Sequence, residues 1–224
     1  VHNIQRKILA KLLYAEYLGY AAIRPAGVES NHFAYHLDQL VRSGLVGKKD
    51  KRYFLTPKGL AYVDRMSQEK MEQRLQPHIV TAIYLTNSKG QVLLYKRYFQ
   101  PYFHRIGFPL GKTHYEESIT AAAERELIEK CDISGVALTH RGMAYIEARQ
   151  QGTTISKVLY HFFSGASDAE PKQTDLLRGE SFWADPAAYK QSELMPGFTE
   201  TKQLMDSQNS LFFTEIITDL GETE

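Results

Sequence analysis

One cysteine, Cys131, and one tryptophan, Trp183, stand in a chain of 224 residues. A lone cysteine excludes an intrachain disulfide and any zinc site built on cysteine clusters. No run of about 18 apolar residues occurs, which argues against a membrane-spanning helix. The first residues carry no secretory pattern, so a cytoplasmic protein without a membrane partner is expected. Excess charge is lacking too, because 27 Lys and Arg face 26 Asp and Glu. What is present is ordinary for a globular protein: 43% hydrophobic and 24% charged residues.

The near balance of charge hides an asymmetry. Residues 1–76 hold 13 Lys and Arg against 7 Asp and Glu, whereas residues 77–224 hold 14 against 19. A basic front joined to an acidic rear suggests two domains with different partners, nucleic acid for the first. The boundaries expected are 1–66 and 77–224, with the polar stretch 67–76, ending before Pro77, as connector.

In the front part, Ile4 to Leu18 reads as a helix with Ile4, Ile8 and Leu12 on one face. Tyr20 to Arg24 gives one or two helical turns, stopped by Pro25 and Gly27. Ser30 is placed to cap a helix running through Arg42. Its buried stripe is Phe33, Leu37, Leu40 and Val41, with Asn31, Tyr35, Asp38, Gln39 and Arg42 facing away. Two short strands follow around a basic turn, Lys48 to Arg52, and Thr56-Pro57 starts another helix. This order, with SNHFAYHLDQLVRSGLV followed by RYFLTPKGL, resembles an α+β winged helix-turn-helix domain of the regulator type. The resemblance implies binding to double-stranded DNA as a homodimer. Asn31, His32, Tyr35, Gln39 and Arg42 would then read bases or backbone, and Lys48, Lys49, Lys51 and Arg52 would meet phosphates. A solvated turn, or a protein-docking module, is the plainer alternative, and Asp38 on the exposed face favours it.

In the rear part, the stretch Gly111 to Ile133 organises the rest. Ser118 to Lys130 lacks Gly and Pro and favours helix, with Ile119, Ala121, Ala122, Ala123 and Leu127 as its packing side. Glu126, Glu129 and Lys130 share one patch of that helix, at spacings of three and four residues. Two converging carboxylates suit Mg²⁺ or Mn²⁺, and such an ion activates water and neutralises pyrophosphate. Alone, the pattern would be a solvated Glu–Lys pair. GKTHYEESITAAAERELIEKCDI resembles the Nudix box, G-x5-E-x7-R-E-U-x-E-E-x-G-U with U aliphatic. Gly111, Glu117, Arg125, Glu126, Leu127, Glu129 and Ile133 fall in register, while Lys130 and Asp132 replace a Glu and a Gly.

The resemblance implies an α/β/α sandwich with a mixed sheet over residues 77–224. It also implies roles. Gly111 would offer its carbonyl to the metal, Glu117 would pair with Arg125, and Glu126 and Glu129 would serve as base and metal ligands. Glu180 stands where a further acidic ligand often lies, and Glu147 is a second candidate. Lys130 cannot ligate a cation, because an ammonium only donates. Arg97, Tyr98 and Phe99, in the aromatic run RYFQPYFH, would line the substrate pocket with Lys130. Tyr98, Phe99, Tyr102 or Phe103 could stack on a base, core or dimer packing being the plainer reading of each ring. Cys131, inside the helix, reads as a packing residue.

Strands are expected at His78–Leu85, Gln91–Tyr95, Val136–Glu147 and Ser156–Phe163, a helix from Pro196 to Ser207, and a short final helix in the tail. Two functions follow from the joined resemblances. In the first, the Nudix domain of a transcription regulator senses a nucleotide-derived metabolite, such as ADP-ribose, with hydrolysis weak or lost. In the second, the protein is an active Mg²⁺-dependent Nudix pyrophosphohydrolase of a nucleoside diphosphate derivative. A purely structural interaction protein is a weaker third.

Overall fold

The computed structural model describes residues 2–67, 72, 74–172, 177–207 and 211–220. The chain forms two compact units, residues 1–75 and 76–224. The connector expected over 67–76 falls partly on residues outside the described set, 68–71 and 73.

In the first unit, α1 (Asn3–Leu12) is followed by β1 (Leu18–Gly19), α2 (Tyr20–Ile23), α3 (Ser30–Arg42), β2 (Val46–Lys49), β3 (Arg52–Leu55) and α4 (Pro57–Asp64). The three strands form an antiparallel sheet in the order β1-β3-β2. Ile8, Leu9 and Leu12 of α1 pack with Ile23, Phe33, Leu37, Leu40 and Tyr53 into one core. Full burial of each aliphatic side chain contributes roughly 1.5–3 kcal/mol. The first helix is shorter than the pattern suggested, because the chain after Leu12 turns to supply β1. Ser30 is the first helical residue and not the cap; Glu29 holds that place without a side-chain hydrogen bond. Thr56 does cap α4, accepting from the Gly59 N–H at 3.1 Å, with Pro57 at the first position. Lys48, Lys49 and Arg52 lie in strands, and only Asp50 and Lys51 make the turn, both left-handed at φ 48° and 61°.

The second unit is built on a mixed eight-stranded sheet. Its strands are β4 (His78–Thr86), β5 (Val92–Arg97), β6 (Ile106–Gly107), β7 (Leu110–Lys112), β8 (Thr139–Gln150), β9 (Thr153–Ala166), β10 (Gly179–Ala184) and β11 (Phe212–Asp219). The order is β10-β5-β4-β9-β8-β11, with β6 on β5 and β7 on β4. The pairs β4–β9 and β8–β11 are parallel, the others antiparallel. Strand β4 shows the layering by its period of two. Ala82 and Tyr84 face a core shared with Phe198 and Met205 of α6 (Phe198–Asp206), while Ile83 and Leu85 face Ala123, Leu127 and Cys131 of α5 (Ile119–Cys131). One helix therefore covers each face. Among the described residues no helix is long and apolar enough to cross a membrane.

Three expectations are corrected here. The segment 212–219 is a strand beside β8, not a helix, and its inward residues alternate strictly with outward ones. Strand β8 starts and ends three residues later than expected and β9 is longer at both ends, the two joined by a tight turn at Gln151-Gly152 with φ 50° and 74°. Ala121 is exposed, while Ala122 and Ala123 are fully buried.

Candidate functional site

Helix α5 is started by Ser118, whose Oγ accepts from the Ala121 N–H at 3.1 Å. It ends on Asp132 in the left-handed conformation, φ 54° and ψ 33°, a place that suits Gly and that Asp tolerates. Between these ends, Leu127 and the alanines fix the rotation of the helix, and the same rotation presses Glu126 against β7. Glu126 is 5% exposed. A Cβ built on Gly111 would come within 2.0 Å of its carboxyl carbon and both its oxygens, so only a glycine backbone fits beside that carboxylate.

Arg125 ties the surrounding carboxylates together. Its Nε donates to Glu117 Oε2 at 3.0 Å and its Nη2 to Glu117 Oε1 at 2.8 Å, the two-pronged geometry of a strong charge-assisted pair. Nη2 also donates to the Lys112 carbonyl at 3.0 Å, which anchors the guanidinium to β7. Nη1 reaches Glu126 Oε1 at 2.7 Å and Glu129 Oε2 at 3.2 Å. The Arg125 hydrogen bonds, helped by the His114 N–H, hold the Glu117 carboxyl down at about 2. Its pairing with Glu117 in turn pushes the Arg125 pKa up.

Lys130 completes the arrangement. Its Nζ lies 3.1 Å from Glu126 Oε2 and 5.1 Å from the centre of the Tyr95 ring, with only 20% of the side chain exposed. The ammonium is close enough for an ion pair but misaligned for a hydrogen bond, so the buried Oε2 keeps an unused acceptor.

That donor set does not fit a resident Mg²⁺ or Mn²⁺. Among the described residues no group of three His, Cys, Asp or Glu converges as a metal site. An ion at the Glu126 carboxylate would also face the Lys130 ammonium, whose like charge opposes it and which has no lone pair to offer. Glu180 cannot supply the missing ligand. Its neighbour Ser181 bonds the Lys130 carbonyl at 2.9 Å on the α5 face, whereas Phe182 packs in the opposite core, which puts Glu180 on the far side of the sheet from α5. There Glu180 accepts from the Tyr98 hydroxyl at 2.6 Å, which raises the Tyr98 pKa. Glu147 is also engaged, accepting from Arg149, Lys157 and Thr154 at 2.8 Å each, and these bonds hold it at about 2. Cys131 is fully buried, and burial pushes its thiol up to about 11, which suits packing and not nucleophilic work.

Arg97 organises the loop after β5. Its Nε donates to the Phe99 carbonyl at 3.1 Å, and the guanidinium stacks 3.4 Å from the Phe99 ring centre. Burial lowers its pKa, opposed by the phenols of Tyr160, Tyr95 and Tyr102. Phe99 and Phe103 keep 38% and 48% of their surface exposed, and Tyr98 meets His104 edge-on at 5.7 Å. Sequence reasoning missed Tyr95, the wall behind Lys130; its place opposite Ser181 in the pairing of β5 with β10 is not signalled by the sequence.

In the first unit, Asn31, His32 and Tyr35 are exposed on α3, with Gln39 half-buried. Arg42 is exposed but held by Asp38 at 2.9 Å. Lys49, Lys51 and Arg52 are exposed, and Lys48 lies 5.5 Å from the Tyr53 ring centre. His2 stacks on His36 at 4.3 Å.

Residues 76–203 match the family described as NUDIX domain. The fold is similar to that of a MutT NUDIX hydrolase from Burkholderia pseudomallei, at 20% identity and a TM-score of 0.51 over 58% of this chain and 98% of that one. It is similar to the NUDIX domain of Shewanella oneidensis NrtR complexed with ADP ribose, at 13% identity and a TM-score of 0.51 over 67% and 97%. A NUDIX hydrolase from Nitrosomonas europaea aligns at 19% identity and a TM-score of 0.50 over 61% and 93%. No curated protein matches the chain.

Proposed function

The chain belongs to the NUDIX domain family, and from that premise we propose that it is a ligand-sensing transcription regulator. In this reading the NUDIX domain binds a nucleotide-derived metabolite and hydrolyses it weakly or not at all. The first unit is a winged helix-turn-helix that binds double-stranded DNA, and the protein works as a homodimer. The observation that carries the reading is the network on α5. Arg125 bonds Glu126 and Glu129, and Lys130 stands 3.1 Å from the remaining oxygen of Glu126. Carboxylates held in this way are poor bases and poor ligands, so a bound phosphoanhydride is retained. A sensor has to hold its ligand, and a hydrolase has to destroy it.

The aromatic loop after β5 supports a nucleotide-derived metabolite. The exposed rings of Phe99 and Phe103, beside Tyr98 and His104, offer faces for a nucleobase. The NrtR domain was found with ADP ribose, which makes ADP-ribose a first compound to try. For DNA, the basic excess of residues 1–76 and the exposed α3 side chains Asn31, His32 and Tyr35 support a duplex contact. Coupling requires the metabolite to favour one arrangement of the protein by an interaction energy of its own. Fluorescence anisotropy of a labelled duplex library, with and without ADP-ribose, tests the proposal. Salt-dependent duplex binding that changes with the metabolite supports it, and indifference to DNA at all salt concentrations contradicts it.

A further inference from the structure

We propose that Lys130 is a built-in counterion that makes the NUDIX unit independent of divalent ions, and that the charge of this one side chain decides whether α5 takes up a metal. The proposal deepens the reading above and rests on the same residue. Its test uses metal alone, so its failure would leave ligand binding without turnover intact.

Three observations converge on Lys130. Glu126 is buried at 5% exposure, and a buried carboxylate needs a counter-charge. Arg125 supplies one to Oε1 at 2.7 Å, and Lys130 supplies the other to Oε2 at 3.1 Å. The ammonium is not loosely placed, because the Tyr95 ring backs it at 5.1 Å and the side chain is four-fifths buried. Opposite, the Gly111 backbone presses on the same carboxylate and leaves no space for a side chain to neutralise it instead. The buried acid is therefore balanced from within the helix, one turn away, by a cation that cannot diffuse off.

Position 130 also holds the means of reversal. A residue four positions after Glu126 lies on the same face of the helix, as the ion pair shows directly. A carboxylate at that position would turn toward the same oxygen and repel it unless a cation came between them. Glu126 Oε2 already has the unused acceptor such a cation would take, and Glu129 lies on the same patch through Arg125. Lys130→Glu should therefore make the unit require a divalent ion that the native protein does not need.

The experiment is Mn²⁺ titration by electron paramagnetic resonance, together with thermal unfolding in chelator and in millimolar Mn²⁺, on the full chain, Lys130→Glu and Lys130→Met. The native protein is expected to show no saturable Mn²⁺ binding and the same Tm in both media. Lys130→Glu is expected to bind saturably and to gain about 5 °C or more with the ion. Lys130→Met, which keeps an unbranched side chain one atom shorter and removes its charge, is expected to unfold at lower temperature than the native protein in chelator. That arm decides the matter if Lys130→Glu does not fold. Saturable Mn²⁺ binding by the native protein would overturn the proposal. So would a folded Lys130→Glu that ignores Mn²⁺, or a Lys130→Met as stable in chelator as the native protein.

Discussion

The backbone of Gly111 lies against the carboxyl group of Glu126 with no room for even one more carbon between them. The contact joins β7 to α5 at the centre of the carboxylate network. Gly111→Ala would place its methyl within 2.0 Å of the Glu126 carboxyl. Because Arg125 and Lys130 hold that carboxylate, it has nowhere to retreat. The variant should lose roughly 1–3 kcal/mol of stability, the usual effect of overpacking. Denaturant unfolding of the purified variant measures this, and an unchanged midpoint would mean that Glu126 is free to swing away.

Acid should act through Glu117 and Glu147. Hydrogen bonds from Arg125 to the first and from Arg149 to the second hold both carboxyls at about 2, below an ordinary 4.5. Groups with depressed folded pKa contribute stability that is present above the unfolded value and lost as pH falls through the folded one. The Tm should therefore fall as pH drops from about 4.5 towards 2. Glu117→Gln and Glu147→Gln should each flatten that dependence and lower the Tm at neutral pH. Thermal scans across the acid range report it, and parallel curves for native and variant proteins would show that these pairs are not what acid breaks.

Much of this arrangement can be read in the residues, and where it cannot the reason is distance along the chain. Helix α5 is legible because its start, composition and end are local: Ser118 caps it, Ala122, Ala123 and Leu127 give it a packing side, and Asp132 closes it. Strand β11 is different: Phe212, Thr214 and Ile216 face inward against Phe213, Glu215 and Ile217 outward, so each face mixes apolar and polar residues and the sequence shows no period of two. Its partner is β8, with Phe212 opposite Gly142, and no local pattern announces a parallel neighbour so far back in the chain. The Glu117–Arg125 pair, which the structure forms, is foreseeable only through the resemblance to the Nudix box. That Glu180 lies across the sheet from α5 is not, because its side is set by the pairing of β10 with β5. Nor is Tyr95 behind Lys130, which becomes visible only once β5 and α5 are layered.

The basic hairpin of the first unit gives a prediction with its own signature. Replacing Lys48, Lys49, Lys51 and Arg52 by Ala should weaken duplex binding alike for every sequence. It should also flatten the salt dependence by about one unit of log–log slope for each phosphate no longer neutralised. Asn31→Ala on α3 should instead change which sequences are preferred. Anisotropy titrations at several salt concentrations separate the two effects, and a slope unchanged in the hairpin variant would remove the hairpin from the interface.

The central claim is that this NUDIX domain holds a nucleotide-derived ligand without destroying it. Isothermal titration of the purified protein with nucleoside diphosphate derivatives, ADP-ribose first, in Mg²⁺ and in chelator, tests it most directly when the same samples are assayed for products. The account predicts saturable binding with the compound recovered intact. Metal-dependent release of phosphate products would contradict it and make the protein a hydrolase that works in spite of Lys130.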